Sequence, residues 1–219
     1  MDTAILEEGY QVTVQGGGVA ATYPVGFQRF GVLSNLEVDL IGPNQNRASG
    51  GPTVQNGLSD LGAGFKYALS AHGPVHWAID GLFTAATGSQ AFTNGGPTAQ
   101  LNLDASYSLT SNIGLGATLG FASSSGPLQS AANSFGRYGA VVPSFVVTYT
   151  PSRSSQLYAE YAARTKIGPN MGGDSVIDYG VQQLLGSNVE IDAEYGTDLT
   201  PIGGSRFHYL GVGLGLFLK

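Results

Sequence analysis

One pattern constrains this chain more than any other: runs of roughly ten residues in which apolar and polar side chains alternate, each run closed by a turn. The clearest copy is Val189-Glu190-Ile191-Asp192-Ala193-Glu194-Tyr195. Successive side chains of a strand point to opposite faces, so one face here is oily and the other carries carboxylates. Buried on both faces in an ordinary soluble core, such a strand would leave one face in the wrong medium. A membrane barrel accepts both, with lipid outside and water within. The fold class expected is therefore all-β, a transmembrane up-and-down antiparallel β-barrel.

Read this way, strands fall at 9–15, 25–32, 36–41, 58–69, 75–86, 99–109, 113–122, 139–149, 156–166, 175–184, 189–198 and 206–218. That is about twelve strands, with residues 1–8 as a periplasmic N-terminal segment and 9–219 as the barrel. Connectors alternate in length. Short ones lie at 33–35, 70–74, 110–112, 150–155 and 186–188, and long ones include 42–57, 87–98 and 123–138. Ser34-Asn35, Ser111-Asn112 and Ser187-Asn188 directly precede strands, and Ser-Asn suits a tight hairpin. An even strand number puts both termini and all the short turns on the periplasmic rim, with the longer loops outside.

Parity then assigns the faces. Leu36, Val38 and Leu40 face lipid, as do Leu101, Leu103, Ala105, Tyr107, Leu115, Ala117, Leu119, Phe121, Leu210, Val212, Leu214 and Leu216. Gly211, Gly213 and Gly215 face inward and are expected to leave room in the bore. Gln28 and Arg29 are adjacent polar residues, so one of them must break the rule. Tyr10, Tyr23, Trp77, Tyr107, Tyr149, Tyr158, Tyr195 and Tyr209 lie near strand ends, where aromatic girdles mark the membrane surfaces. Strand propensity alone would also enrich them there.

The inward charges are Glu37, Asp39, Lys66, Asp80, Asp104, Glu160, Arg164, Asp178, Glu190, Asp192 and Glu194. They read either as the lining of a polar conduit or as a paired, filled interior that holds the wall together. Composition agrees with a barrel: charged residues make up only 11 %, against about 25 % in soluble domains. The formal charge of −6 and the lack of basic runs argue against nucleic acid as a partner. With no Cys, thiolate chemistry and Cys-held metal are excluded. Met1–Glu8 has no basic start and no apolar core, so a mature form without signal peptide is expected.

Other chemistry is weakly signalled. His208 has Ser205 and Asp198 nearby in sequence, which raises a barrel lipid hydrolase, but no nucleophile elbow surrounds any Ser. His72 and His76 have a helical metal spacing in a turn and strand context, so no metal or cofactor is expected. Gly16-Gly17-Gly18 and Gly50-Gly51 lack the Gly-Lys-Ser/Thr ending of a phosphate loop and read as loops.

Several segments resemble a known family. Leu58-Ser59-Asp60-Leu61-Gly62-Ala63-Gly64-Phe65-Lys66-Tyr67-Ala68-Leu69 is similar to a strand of the outer-membrane β-barrel transporter family named for the meta-pathway of phenol degradation. Thr84-Ala85-Ala86-Thr87-Gly88, Ile177-Asp178-Tyr179-Gly180-Val181 and Asn188 to Gly196 are similar too, and Phe30 to Val38 suits that family's opening hairpin. The chain departs from the pattern in lacking a Pro before the Thr-Gly strand end and in stopping at Phe217-Leu218-Lys219 rather than on an aromatic. The resemblance implies a bacterial outer-membrane location, with lipid and a small-molecule solute as partners. It also implies passive uptake of small molecules of aromatic or hydrophobic character, and no catalytic residues. The alternative is a non-transporting structural or partner-binding barrel. The oligomeric state is left open.

Overall fold

The computed structural model describes residues 4–70, 73–128, 134–201 and 205–218. The strand segments in chain order are β1 (Ala4–Gln15), β2 (Gly18–Tyr23), β3 (Phe27–Leu33), β4 (Leu36–Ile41), β5 (Gln45–Ser49), β6 (Gln55–Leu58), β7 (Leu61–Ser70) and β8 (Val75–Ala85). They continue with β9 (Thr98–Ser108), β10 (Ile113–Pro127), β11 (Phe135–Ser152), β12 (Ser155–Arg164), β13 (Asp174–Leu185), β14 (Val189–Asp198) and β15 (Phe207–Leu218). All pairings are antiparallel, and β15 returns to pair with β1 from Ala4↔Leu218 to Gln15↔Phe207. The sheet thus closes into a barrel, while β6, at the end of the strand order, pairs with β5 alone.

Three pairs of segments are each one bent stave. The β2–β5 pairing keeps the register of β3–β4, and β5–β6 keeps that of β4–β7. Joining β2 to β3, β4 to β5 and β6 to β7 gives twelve staves, the number expected from the alternation. The boundaries differ at the start of the chain. Ala4 to Glu8, expected to precede the barrel, form the first part of β1. The stretch 42–57, expected to be a loop, instead carries β5 and the start of β6 on either side of a turn at 50–54. Gly16 and Gly17 form a tight turn with φ of 55° and 83°, a region open to Gly at little cost, so strands continue on both sides of it.

Register also fixes the slope of the wall. A line of partners runs Thr98, Thr84, Gly62, Ile41, Phe27, Glu7, Gly215, Glu190, Leu184. It begins at the outer ends of β9 and β8. It ends at Leu184, whose N–H donates to the carbonyl of Ser154 in an inner-rim turn. Crossing from rim to rim in this way is what tilted barrel strands require. Glu7 and its neighbours in β1 therefore sit near mid-height.

The outer face is oily, as expected. Leu101, Leu119, Phe121 and Leu210 are among the large apolar side chains left exposed. Among the aromatic residues, Tyr10, Tyr23, Trp77, Tyr107 and Tyr149 are exposed on this face. Tyr158 and Tyr209 are not girdle residues; their parity turns them into the lumen, where each ring covers a facing glycine. Of the ambiguous pair, Arg29 points inward to Glu7 and Gln28 points out beside Leu40.

Leu119 lies in mid-strand between Leu103 and Pro143 on the lipid face. Leu119→Arg is expected to cost about 2–4 kcal/mol, the range for a cation at the bilayer midplane. Denaturant unfolding of the refolded protein in lipid vesicles measures it, and an unchanged midpoint would contradict the assigned face.

Candidate functional site in the barrel lumen

Strand parity delivers every sequence-predicted lumen residue to the inner face, and the register sorts them into groups. On β7 to β10, Lys66 Nζ lies 3.1 Å from Asp104 Oδ2. Thr118 donates to Asp104 Oδ1 at 2.7 Å, and Asn102 donates to Asp80 Oδ1 at 2.7 Å. Gln100 extends the chain by donating to Asn102. Opposite charges and hydrogen bonds across neighbouring staves thus knit this side of the wall.

A second group lies on β12 to β14. Glu160 and Asp178 are register partners, and Glu190, Asp192 and Glu194 follow one another along β14. Tyr158 donates its hydroxyl to Glu194 Oε2 at 3.2 Å, and Gln156 donates to Gln182 at 2.8 Å. The third group joins Glu37 and Asp39 of β4 to Arg29 of β3, whose guanidinium lies 3.3 Å from Glu7 and 4.9 Å from the Phe27 ring centre. Arg164 stands opposite Asp174 in register, apart from the other cations. The ion pairs among the described residues are Arg29–Glu7 and Lys66–Asp104.

Sequence reading missed Glu7, Arg29, Tyr158 and Tyr209 as lumen residues. Glu7-Glu8 and Gln28-Arg29 are adjacent polar pairs, so parity could not say which member faces inward until the partner strands fixed it. The inward glycines also behave differently from expectation. Glu194 lies across the ladder from Gly211, Asp192 from Gly213, Tyr158 from Gly180 and Tyr209 from Gly196. A Cβ at any of these glycines would collide with the facing side chain. The glycines therefore seat acids and tyrosines against the wall instead of widening the bore.

Open volume remains between these groups. A cavity of about 290 Å³ borders Glu7, Tyr158, Glu190, Asp192 and Glu194. One of about 530 Å³ borders Arg164, Asp174, Asp178 and Tyr209 toward the outer end. Another of about 510 Å³ borders Lys66, Asp80 and Asp104, and one of about 230 Å³ opens by Arg29, Glu37 and Asn35 near the inner rim.

Outer connectors pack over the rim. Asp60, between β6 and β7, accepts from the Gly88 N–H and the Asn94 N–H at 2.8 Å each and so anchors the 86–97 loop. Burial pushes its carboxyl up, but the hydrogen bonds from the Asn94 and Gly88 N–H groups and from the Thr93 and Asn94 side chains together hold it below the usual aspartate value. A lowered value means the anchor is complete above the ordinary value of about 3.9 and is lost only as pH falls through the lower folded one.

The hydrolase candidates do not assemble. Tyr195 OH and His208 Nδ1 are 2.7 Å apart on the outer face. Asp198 instead accepts from the Phe207 N–H, and the Ser205 carbonyl accepts from Gln15. His72 lies outside the described residues. Among the described residues no cluster of His, Cys, Asp and Glu could hold a metal ion.

Neither a protein-family model nor a curated protein matches this sequence. Solved structures do match in fold. The translocator domain of the autotransporter NalP from Neisseria meningitidis aligns with a TM-score of 0.63 at 12 % identity, over 98 % of this chain and 88 % of that one. The beta domain of the Bordetella autotransporter BrkA gives 0.54 at 11 % identity, over 98 % of both chains. A Pseudomonas aeruginosa FadL homologue gives 0.50 at 10 % identity, over 94 % of this chain and 69 % of that one. This chain shares with them the closed antiparallel β-barrel fold.

Asp60→Ala is expected to free the 86–97 loop. Hydrogen bonds to a charged group contribute about 1.5–3 kcal/mol each, so the Gly88 and Asn94 amides should lose at least about tenfold in exchange protection. Hydrogen exchange by mass spectrometry reads this, and unchanged protection there would mean that the loop is held by other contacts.

Proposed function

We propose that this protein is a passive outer-membrane channel for small molecules of aromatic or hydrophobic character. The observation that carries the reading is the string of unfilled volumes along the lumen, from about 230 to about 530 Å³, bordered by charged side chains. A cavity of about 150 Å³ already holds benzene, so each volume could take one aromatic ring. The solute class draws support from the resemblance of 58–69 and neighbouring segments to transporters named for phenol degradation.

In this reading Glu37, Asp39, Asp80, Asp104, Glu160, Asp178, Glu190, Asp192 and Glu194 line the path with Lys66 and Arg164. The excess of acids favours cations over anions of equal size among charged solutes. Uncharged rings pass along Tyr158, Tyr209 and the aliphatic stems of the wall. A second reading, a non-transporting barrel that binds partners through its outer loops, draws on the acids and tyrosines laid over Gly180, Gly196, Gly211 and Gly213.

Planar-bilayer conductance separates the two. The channel reading expects cation-selective current, and expects the triple change Glu190→Gln, Asp192→Asn and Glu194→Gln to move the reversal potential in a KCl gradient toward zero. Silent bilayers from folded protein, with no solute flux in vesicles, would favour the partner-binding barrel.

A further inference from the structure

Two polar side chains stand on the oily side of the wall where β1 and β3 meet. β1 sets Leu6, Glu8 and Tyr10 opposite Leu216, Leu214 and Val212 of β15, and those three partners are exposed on the outer face. β3 sets Gln28 between Leu6 on one side and Leu40 on the other. A carboxylate and a carboxamide therefore interrupt a patch of leucines near mid-height.

The barrel itself gives neither group a partner. Among the described residues, Glu8 belongs to neither ion pair, and neither side chain is hydrogen-bonded within the chain. Yet the two lie close together: a Cβ on Gly26 would be 3.2 Å from Glu8 Oε2 and 3.6 Å from Gln28 Nε2. Gly26 has no side chain, so the hollow of about 560 Å³ that both residues border stays open between them. An acceptor and a donor thus stand side by side, both unused. Ionisable groups set in a membrane wall are costly unless paired, and polar side chains that bond from one membrane segment to another hold the two together.

Height identifies the partner. Two copies inserted in the same direction can be related by a twofold axis along the membrane normal, which brings residues of equal height together. The line of register partners climbs toward the outer rim from β1 to β3, and β1 climbs the same way from Leu6 to Glu8. With strands about 4.8 Å apart, rising about 3.4 Å per residue and tilted about 40°, Gln28 stands about 3 Å above Leu6 and Glu8 about 5 Å above it. The two are level to within the reach of their side chains.

We propose that this patch is the contact face of a parallel homodimer, in which Gln28 Nε2 of each copy donates to the Glu8 carboxylate of the other. Leu6 lies beside the twofold axis. One contact, made twice, satisfies all four polar groups, and a second copy fits a patch where a lipid tail fits neither polar residue. The contact is independent of whether the lumen conducts.

The chain has no Cys, so single cysteines report on the contact without background. Leu6→Cys lies beside the axis, whereas Phe121→Cys is exposed on the outer face of β10, on the far side of the barrel. Outer membranes carrying either variant are oxidised with copper phenanthroline. A disulfide-linked dimer is expected from Leu6→Cys, and only collisional background from Phe121→Cys. Light scattering of the refolded native protein in detergent micelles is expected to give twice the mass of one chain. Glu8→Leu, checked as folded by its strand circular dichroism, is expected to raise the dimer dissociation constant by about tenfold or more, as the loss of two interchain hydrogen bonds requires. Glu8→Gln keeps an acceptor and is expected to keep the dimer. A single-chain mass at every protein-to-detergent ratio, with no excess dimer from Leu6→Cys, would overturn the homodimer, as would a Glu8→Leu dimer as tight as the native one. Capture of a different outer-membrane protein by Leu6→Cys in place of a second copy would overturn it in favour of a foreign partner.

Discussion

Hydrocarbon offers a peptide group no water to bond with, so a chain crossing it must satisfy its own N–H and C=O groups. Here that requirement is met by the ladder between β15 and β1, which runs the length of both strands. Without it the sheet would end in two rows of bare backbone polar groups. With it the sheet has an inside, and the alternation of side chains acquires a meaning that no open sheet would give it. The lumen, its charges and its cavities all follow from that one closure.

The inner face is organised by a second constraint, the narrowness of a twelve-stave bore. Acids and tyrosines on one stave need somewhere to lie, and the glycines opposite provide it. Asp192 lies over Gly213 and Tyr209 over Gly196, each side chain set against bare backbone. The charges are thereby held at the wall, where Lys66 and Asp104 meet and where Glu190, Asp192 and Glu194 form an acidic strip. Such a surface can be polar without being blocked.

The bends at 24–26, 42–44 and 59–60 show how backbone bonding can be relaxed locally. Side chains take over what the ladder drops there. Asn44 accepts from the Gly26 N–H, Ser59 accepts from the Asn44 N–H, and Asp60 collects two amides of the 86–97 loop. These substitutions keep β3 and β2 in one register with β4 and β5, and β4 and β5 in one register with β7 and β6, while the ladder of β1 shifts by one residue between β3 and β2.

Local chemistry was enough for much of this. A period of two is a property of the strand itself, so Val189 to Tyr195, Leu101 to Tyr107 and Leu210 to Leu216 announce their faces without reference to any partner. Ser-Asn before a strand likewise announces its own hairpin. The stretch from Gly42 to Gly57 misled because Gly, Pro and Asn usually signal turns, whereas here its strands inherit their register from β4 and β7. Glu7 against Glu8, and Gln28 against Arg29, could not be divided by a period that both members violate; only the ladders to β15 and β4 did that. Tyr158 and Tyr209 look like any interface aromatic until closure gives them an interior to face. The sequence by itself therefore determined the strands, their two-sided character and their number, because these are set by neighbours along the chain. The tertiary structure alone decided which residues meet from stave to stave and where the ladder breaks, because those depend on pairings between distant segments.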